Sequence, residues 1–367
     1  MPKTVWQKNP EKGFFAFYSI DFFYIFRQNN FTMSHVYHIG KNKKNLELRF
    51  QIIRLIREWF WAQNFIEVES PLIVKLPGQE PNLSPVKVFI HNERQEEFVG
   101  YLHTSPEYTM KKMLTAGFEN IFYLGKCFRD QESFGGTHNP EFTMLEFYRV
   151  NSDMFDLMRD VEDLYNFIIG KLFKDLKIQL FKDFGDWKRI SMKDLWQKHV
   201  GIDLDEYLET NKMLELCQRF GYNVGNSETY EELFYRIFLN KIEANLIEPT
   251  IVYNYPIQMA ALSQVSDNNP NYAERFEIYI NGIELANAFS ELTDPQEQLR
   301  RLKEEQAERQ KLGLDVYDVD MEFIECLKNM PKSAGIALGV DRLIMVLGGL
   351  QNINDVITLP ASKIFEI

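Results

Sequence analysis

Glu277, Glu284 and Glu291 stand seven residues apart within ERFEIYINGIELANAFSEL, Glu274 to Leu292, each reached through mostly apolar sequence. Two carboxylates on adjacent strands can share a divalent cation, and hard oxygen ligands suit magnesium, which keeps several waters and bridges to phosphates. On a helix this spacing would place all three on one stripe. Ile278-Tyr279-Ile280 followed by Asn281-Gly282 predicts a hairpin instead, whose turn would set Glu277 and Glu284 opposite one another. The bland alternative is three solvated glutamates on a polar edge.

The stretch FRDQESFGGTHNPEFTMLEFY, Phe128 to Tyr148, is a second concentration of polarity in aromatic sequence. Its last part has strand composition, and a period of two puts Phe142, Met144, Glu146 and Tyr148 on one face. A face bearing a carboxylate and a phenol beside apolar residues suits a pocket for a cation. The structural alternative is a hairpin turning at Gly135-Gly136 with Arg129 and Glu141 as ordinary surface charges. A third run, Gly335-x-x-x-Gly339-x-Asp341-Arg342, has neither the GKS ending of a Walker loop nor the G-x-G-x-x-G spacing of a dinucleotide site. Its glycines would let a ligand approach the backbone and its arginine would neutralise phosphate. A Gly/Ala strand entering a buried helix at Leu343 to Leu347 explains the same residues.

These groups need a scaffold. Leu46, Phe50, Ile53, Ile56 and Phe60 recur at helical spacing with Arg49, Arg54 and Glu58 between them, which predicts an amphipathic helix from Leu46 to Phe60. Phe65 to Glu69 alternates as a strand and stops at Ser70-Pro71. Asp153 caps a helix reaching about Phe173, with Phe155, Met158, Val161, Tyr165, Ile168 and Leu172 as its buried stripe. Helices around loops fill residues 176 to 250, strands follow at Thr250 to Tyr255 and Arg275 to Ile280, and a charged helix spans Pro295 to Leu312. The order helix, strands, helix, strands, helix predicts an α+β fold, an antiparallel sheet flanked by helices, rather than a βαβ succession.

Composition narrows the function classes. The 367 residues can bury a substantial core, and 41 basic against 53 acidic residues leave a net charge of -12, so no global basic surface attracts nucleic acid. Cys127, Cys217 and Cys326 form neither a CxxC pair nor an even disulfide framework, which points to a reducing cytoplasm and away from zinc. The aromatic run Phe14 to Phe26 is too short for a membrane span and carries Asp21. Residues 1–40 are therefore expected to be an extension, poorly packed or lying upstream of a working start at Met33, with an aromatic docking segment as the alternative; residues 41–367 are expected to form the catalytic domain.

Taken in order, His103-Thr104-Ser105-Pro106-Glu107, FRDQE with THNPEFTMLEFY, GIELANAFSEL and GIALGVDR resemble the catalytic domain of class II aminoacyl-tRNA synthetases, the lysyl branch in particular. The resemblance runs from about Leu46 to the end, and Phe65 to Ile73 look like motif 1, which lies at the dimer interface in that family. It implies ATP and magnesium as cofactors. Arg129 would hold the α-phosphate, where negative charge builds as a carboxylate attacks. Phe142 would stack on adenine, Asp130, Gln131, Glu132, Asn139, Leu285 and Gly339 would line the nucleotide, and Arg342 would meet the γ-phosphate. Glu277 and Glu284 would bind magnesium with the phosphates. Ser105, Pro106 and Glu107 would hold the substrate's amino group, while Glu146, Tyr148 and Glu291 would meet its ε-ammonium.

The sequence departs from the family at three places. Gln131 stands where the family has glutamate, with Glu132 next to it and one extra residue before His138, which leaves open which of the two faces adenine. Ala288 and Ala337 replace glycines, and methyls added in a tight pocket would alter discrimination by about 1–3 kcal/mol. A lysyl-tRNA synthetase of this type carries an amino-terminal anticodon-binding barrel, for which the residues before Leu46 leave no room. With SPEY and Ala337, this resembles the elongation factor P (R)-β-lysine ligase family, which implies activation of β-lysine or lysine as an adenylate and transfer to a lysine of elongation factor P. A homodimer without tRNA or membrane is then expected. Aminoacylation of tRNA and an inactive paralogue serving as a binding subunit are the alternatives.

Overall fold

The computed structural model describes residues 35–175, 187–225 and 228–366. The extension expected for residues 1–40, including the aromatic run and Met33, lies outside the described residues up to position 34. Within its remainder, helix α1 (His35–Lys41) buries His38. The next helix, α2 (Lys43–Ala62), covers the predicted span, but its buried stripe is Leu46, Arg49, Ile52, Leu55, Ile56, Trp59 and Phe60. Phe50, expected inside, is exposed, and Arg49, expected outside, is buried. The stripe is rotated because a buried carboxylate, Asp341, draws Arg49 inward.

Strands β1 (Ile66–Glu67), β5 (Ile121–Phe128), β6 (Glu141–Val150), β7 (Lys188–Ser191), β8 (Thr250–Pro256), β9 (Tyr272–Ile280), β10 (Ile283–Ser290) and β11 (Ser333–Gly339) form an eight-stranded sheet. Its order is β1-β5-β6-β11-β10-β9-β8-β7. The interior pairs are antiparallel, as the sequence predicts, while β1 with β5 and β7 with β8 at the two edges are parallel. A separate three-stranded sheet, β2-β4-β3, comprises β2 (Ile73–Val74), β3 (Lys87–His91) and β4 (Glu97–Leu102).

One face of the large sheet carries the main core. Phe60 of α2 meets Phe122 and Phe147 at 4.6 and 4.9 Å between ring centroids. Helix α4 (Met154–Gly170) lies on the same face and starts at Asp153, which forms a capping box with Asp156. Its stripe is as expected except at Phe155, which is exposed beside Tyr253. The opposite face is covered at its two ends. Helix α3 (Glu107–Thr115) packs there with α9 (Met321–Cys326), and helices α5 (Met192–His199), α6 (Thr210–Arg219) and α7 (Tyr230–Lys241) pack against β8. Helix α8 (Pro295–Lys311), capped by Asp294 with proline in its first turn, lies alongside α9. Helix α10 (Val340–Gly348) follows β11 directly and buries nearly every side chain against α2 and β6.

Candidate active site

Between the two covered ends, the free face of the sheet opens into a cavity of about 930 Å³. The alternation of β6 decides what points into it: Phe142, Met144, Glu146 and Tyr148 all line the cavity, while Leu145 and Phe147 enter the core. The hairpin expected at Asn281-Gly282 is present, with both residues at positive φ (56° and 69°), the geometry that permits a two-residue turn. Its register differs from the simple expectation. Glu284 pairs with Tyr279 and Asn287 with Glu277, across a bulge between Glu284 and Ala286, so the two carboxylates face the cavity diagonally rather than directly opposite. The odd-numbered residues Asn287, Phe289 and Glu291 reach the same cavity, whereas Ala288 lies in the core on the other face. Of the two alanines expected to reshape the pocket, therefore, only Ala337 lines it.

At the end towards β5, the loop between β5 and β6 returns to the cavity mouth. Arg129 places its guanidinium 5.1 Å from the centre of the Phe142 ring, and its Nε is buried without a hydrogen-bond partner. Arg342, at the start of α10, donates to the Thr137 carbonyl (3.2 Å), the Glu284 carbonyl (2.9 Å) and His138 Nε2 (2.9 Å). Burial, then the charge of Arg342, lowers the pKa of His138 and keeps its ring free to accept that bond. Glu132 lines the cavity, with an oxygen 3.9 Å from His138. Gln131 does not: it sits at φ 60° in the left-handed region and is exposed. Asp130 is likewise exposed, held in a bridge to Ser84, and Pro106 is buried as the cap of α3 rather than lining the cavity. Asn139, Leu285 and Gly339 line it, although the Asn139 amide is already committed to the Glu141 carbonyl (2.6 Å) and the Ala361 N–H (2.9 Å).

Glu284 opens into the cavity and lies 3.5 Å from Arg342; burial of its surroundings, then Glu277, raises its pKa. Glu277 is different. Arg275 (2.6 Å), Tyr255 (2.6 Å), Tyr279 (2.5 Å) and Tyr235 (3.4 Å) all donate to it, filling the four lone-pair directions of its carboxylate. Of the two, Glu284 keeps carboxylate oxygens towards the cavity and could hold a magnesium ion, while Glu277 is taken up by protein donors.

The far end of the cavity is an acidic chamber. Ser105 and Glu107 come from the start of α3, Glu146 and Tyr148 from β6, and Glu291 from the end of β10. Tyr148 donates to Glu146 Oε1 at 2.8 Å, and Glu146 Oε2 and Glu291 Oε1 are buried with no hydrogen-bond partner. Burial, then Glu107, raises Glu146 well above the usual carboxylate range, and burial drives Glu291 up to about 7 against the opposing charge of Lys111. Gly335 passes so close that a Cβ there would collide with the Tyr148 ring and Glu291 Oε1. Lys111, which sequence reasoning missed, does not line the cavity but is fully buried between two residues that do, Glu107 Oε1 (2.7 Å) and Glu291 Oε2 (2.6 Å). The one signal available was its position four residues after Glu107 on a helix. Glu80 and Glu305 also line the cavity; burial, then Glu107, raises Glu80, and burial, then Glu80, pushes Glu305 up to about 8.

Two arginines, Arg129 and Arg342, thus share one cavity with buried carboxyl groups, an arrangement that could bring an anion and an ammonium-bearing acid together. Comparison with known proteins shows the family. The profile of tRNA synthetases class II (D, K and N) matches residues 31–363. A lysine–tRNA ligase of Prochlorococcus marinus subsp. pastoris is 36% identical over 329 residues, 88% of this chain and 63% of the relative, so the chain spans under two thirds of that relative's length. Elongation factor P–(R)-β-lysine ligases of Avibacterium paragallinarum and Histophilus somni strain 2336 are 37% and 38% identical over 313 and 319 residues. Those matches take in 84% and 86% of this chain and 92% and 94% of the relatives. Among the described residues no helix is long and apolar enough to cross a membrane. With the arginines, the glutamate hairpin and the acidic chamber all falling inside the matched span, the chain belongs to the class II tRNA synthetase family and is a member of a ligase lineage.

Proposed function

We propose that the protein activates (R)-β-lysine or lysine with ATP and transfers it to a lysine side chain of elongation factor P. The observation that carries this reading is the chamber in which Glu146 Oε2 and Glu291 Oε1 are buried without partners beside Glu107. Unpaired buried carboxylate oxygens are costly unless a cation meets them, and an amino acid with a side-chain ammonium is that cation. In this reading the substrate carboxylate oxygen attacks the α-phosphorus of ATP and pyrophosphate leaves. Arg129, whose Nε lacks a protein partner, takes the charge that builds on the α-phosphate oxygens. Phe142, Glu132, Asn139, Leu285 and Gly339 surround the nucleotide, and Arg342 meets its γ-phosphate. Glu284, with Glu277 nearby, would hold magnesium, which would supply positive charge to the phosphates.

In the second half-reaction, the uncharged amine of the acceptor lysine attacks the adenylate carbonyl carbon, AMP departs, and the new amide nitrogen loses a proton. The relatives matched over nearly their whole length carry the elongation factor P ligase name, which supports a protein acceptor over tRNA. The small sheet supports a homodimer: Ile73, Ile90 and Phe98, together with Phe89 and Val99 on its other face, are all more than 40% exposed.

The test is to charge the enzyme with labelled lysine or β-lysine, offer elongation factor P and total tRNA together, and treat with mild base. Base-stable label on elongation factor P is expected, because an amide survives where an aminoacyl ester does not. Base-labile label on tRNA alone would establish the synthetase alternative instead.

A further inference from the structure

Lys111 ties together two carboxylates that line the chamber without lining it itself. Its Nζ bridges α3 and the end of β10 through Glu107 and Glu291, at 2.7 and 2.6 Å, with none of the lysine side chain exposed. Burial opposes its charge, but the two carboxylates outweigh burial and hold its pKa above the ordinary lysine range, so it is a permanent cation. Three carboxyl groups, Glu107, Glu146 and Glu291, thus gather at one end of the cavity with a single protein cation among them, an arrangement that suits a ligand bearing ammonium groups. The bridge also fixes where those charges stand. Each carboxylate gives one oxygen to Nζ, and Glu291 Oε1 is left buried and unpartnered beside Tyr148 and Gly335.

Resting on the proposed activation of a diamino acid, we infer that Lys111 is a specificity-determining positioning residue: by clamping Glu107 to Glu291 it sets the distance between ammonium sites, and so which diamino acid fits. It touches neither ATP nor the reacting carboxylate and acts through the two glutamates. The groups facing Glu291 are Lys111 and Glu107 from α3 and Glu146 and Tyr148 from β6; among these, Lys111 is the cation that holds the Glu291 carboxyl down. Removing it must raise the Glu291 pKa further. Binding of a diammonium ligand, which needs the carboxylate, would then be lost at a higher pH on acidification.

Calorimetric titration of the full chain with ATP, L-lysine, (R)-β-lysine and L-ornithine, repeated from pH 6 to pH 9, separates the possibilities. In Lys111→Met, affinity for the preferred diamino acid should fall at least tenfold at pH 7.5, the spread of affinities across the three ligands should collapse to within about threefold, and the acid limb of binding should move up by about one pH unit. ATP affinity, expected within twofold of wild type, reports that the variant is folded. Lys111→Arg keeps the cation and should restore the acid limb while altering the ligand order, because its planar fork is wider than an ammonium. If the methionine variant proves unstable, this arginine variant alone decides the matter. A wild-type ligand order and acid limb in a folded Lys111 variant would overturn the role of Lys111 and leave the substrate reading intact. Wild-type protein that binds ATP but none of the diamino acids would overturn both.

Discussion

The buried Nε of Arg129 has no protein partner, and its guanidinium rests over Phe142 rather than on a carboxylate. An arginine left free in a cavity otherwise rich in acid is poised for a phosphate. Arg129→Ala should therefore lower substrate-dependent pyrophosphate exchange into ATP by at least a hundredfold, the scale lost when one charge-stabilising group is removed, and unchanged exchange would sink its assignment. Glu291 gives a prediction of different sign. Its carboxyl titrates near 7 in the free protein because burial disfavours its charge. Above that pH it is an anion and attracts an ammonium; below it the charge is lost. The KM for lysine should thus rise severalfold between pH 8 and pH 6 while the KM for ATP moves less, and in Glu291→Gln the pH dependence of the lysine KM should flatten. A parallel change in both constants would place the titration elsewhere.

Three elements meet at Asp341 in the first turn of α10. Its carboxylate pairs with Arg49 of α2 and accepts the Thr143 N–H of β6 at 2.6 Å, while Arg49 also donates to Thr143 Oγ1 at 2.6 Å and to the Val356 carbonyl at 3.2 Å. Both side chains are at most 7% exposed. This clasp fixes the start of α10, and with it Arg342, against the strand that carries Phe142 and Glu146. Loss of one partner strands the other as an uncompensated buried charge. Asp341→Leu should cost about 3–5 kcal/mol in urea denaturation, and the double variant Arg49→Met with Asp341→Leu should recover much of it because two apolar side chains replace the pair. Equal stability of the single and double variants would show that no such coupling exists.

At the scale of the whole molecule, charge and shape divide the surface by task. The acidic cavity faces one way between its two helical clusters, and the three-stranded sheet presents Phe98 (53% exposed) and Ile90 (41%) as a cross-strand pair. Apolar side chains left exposed on both faces of this sheet among the described residues suit an interface, and a second copy of the chain is the occupant we propose. Sedimentation equilibrium should give a dimer for the native chain and a monomer for Phe98→Asp. A Phe98→Asp protein that remains dimeric would move the interface to another surface.

What the sequence by itself determined was local periodicity and the chemistry of its motifs. The two-residue period of β6 put Phe142, Met144, Glu146 and Tyr148 on one face, Asn281-Gly282 specified a turn, and Asp153 marked a helix start, because each rests on bonds within a few residues. Only the tertiary structure decided what depends on distant partners. Arg49 turned inward because Asp341, far along the chain, lies within reach; the bulge after Glu284 shifted the glutamate pair to a diagonal; Ala288 went to the core face; and Glu132, rather than Gln131, reached the cavity because the loop backbone turns through the left-handed region at Gln131. Lys111 looked like one more charge on a helix. Its place between Glu107 and Glu291 arises because α3 docks on the sheet where β10 ends, and those two carboxylates, outweighing burial, turn an ordinary lysine into a fixed charge beside the site.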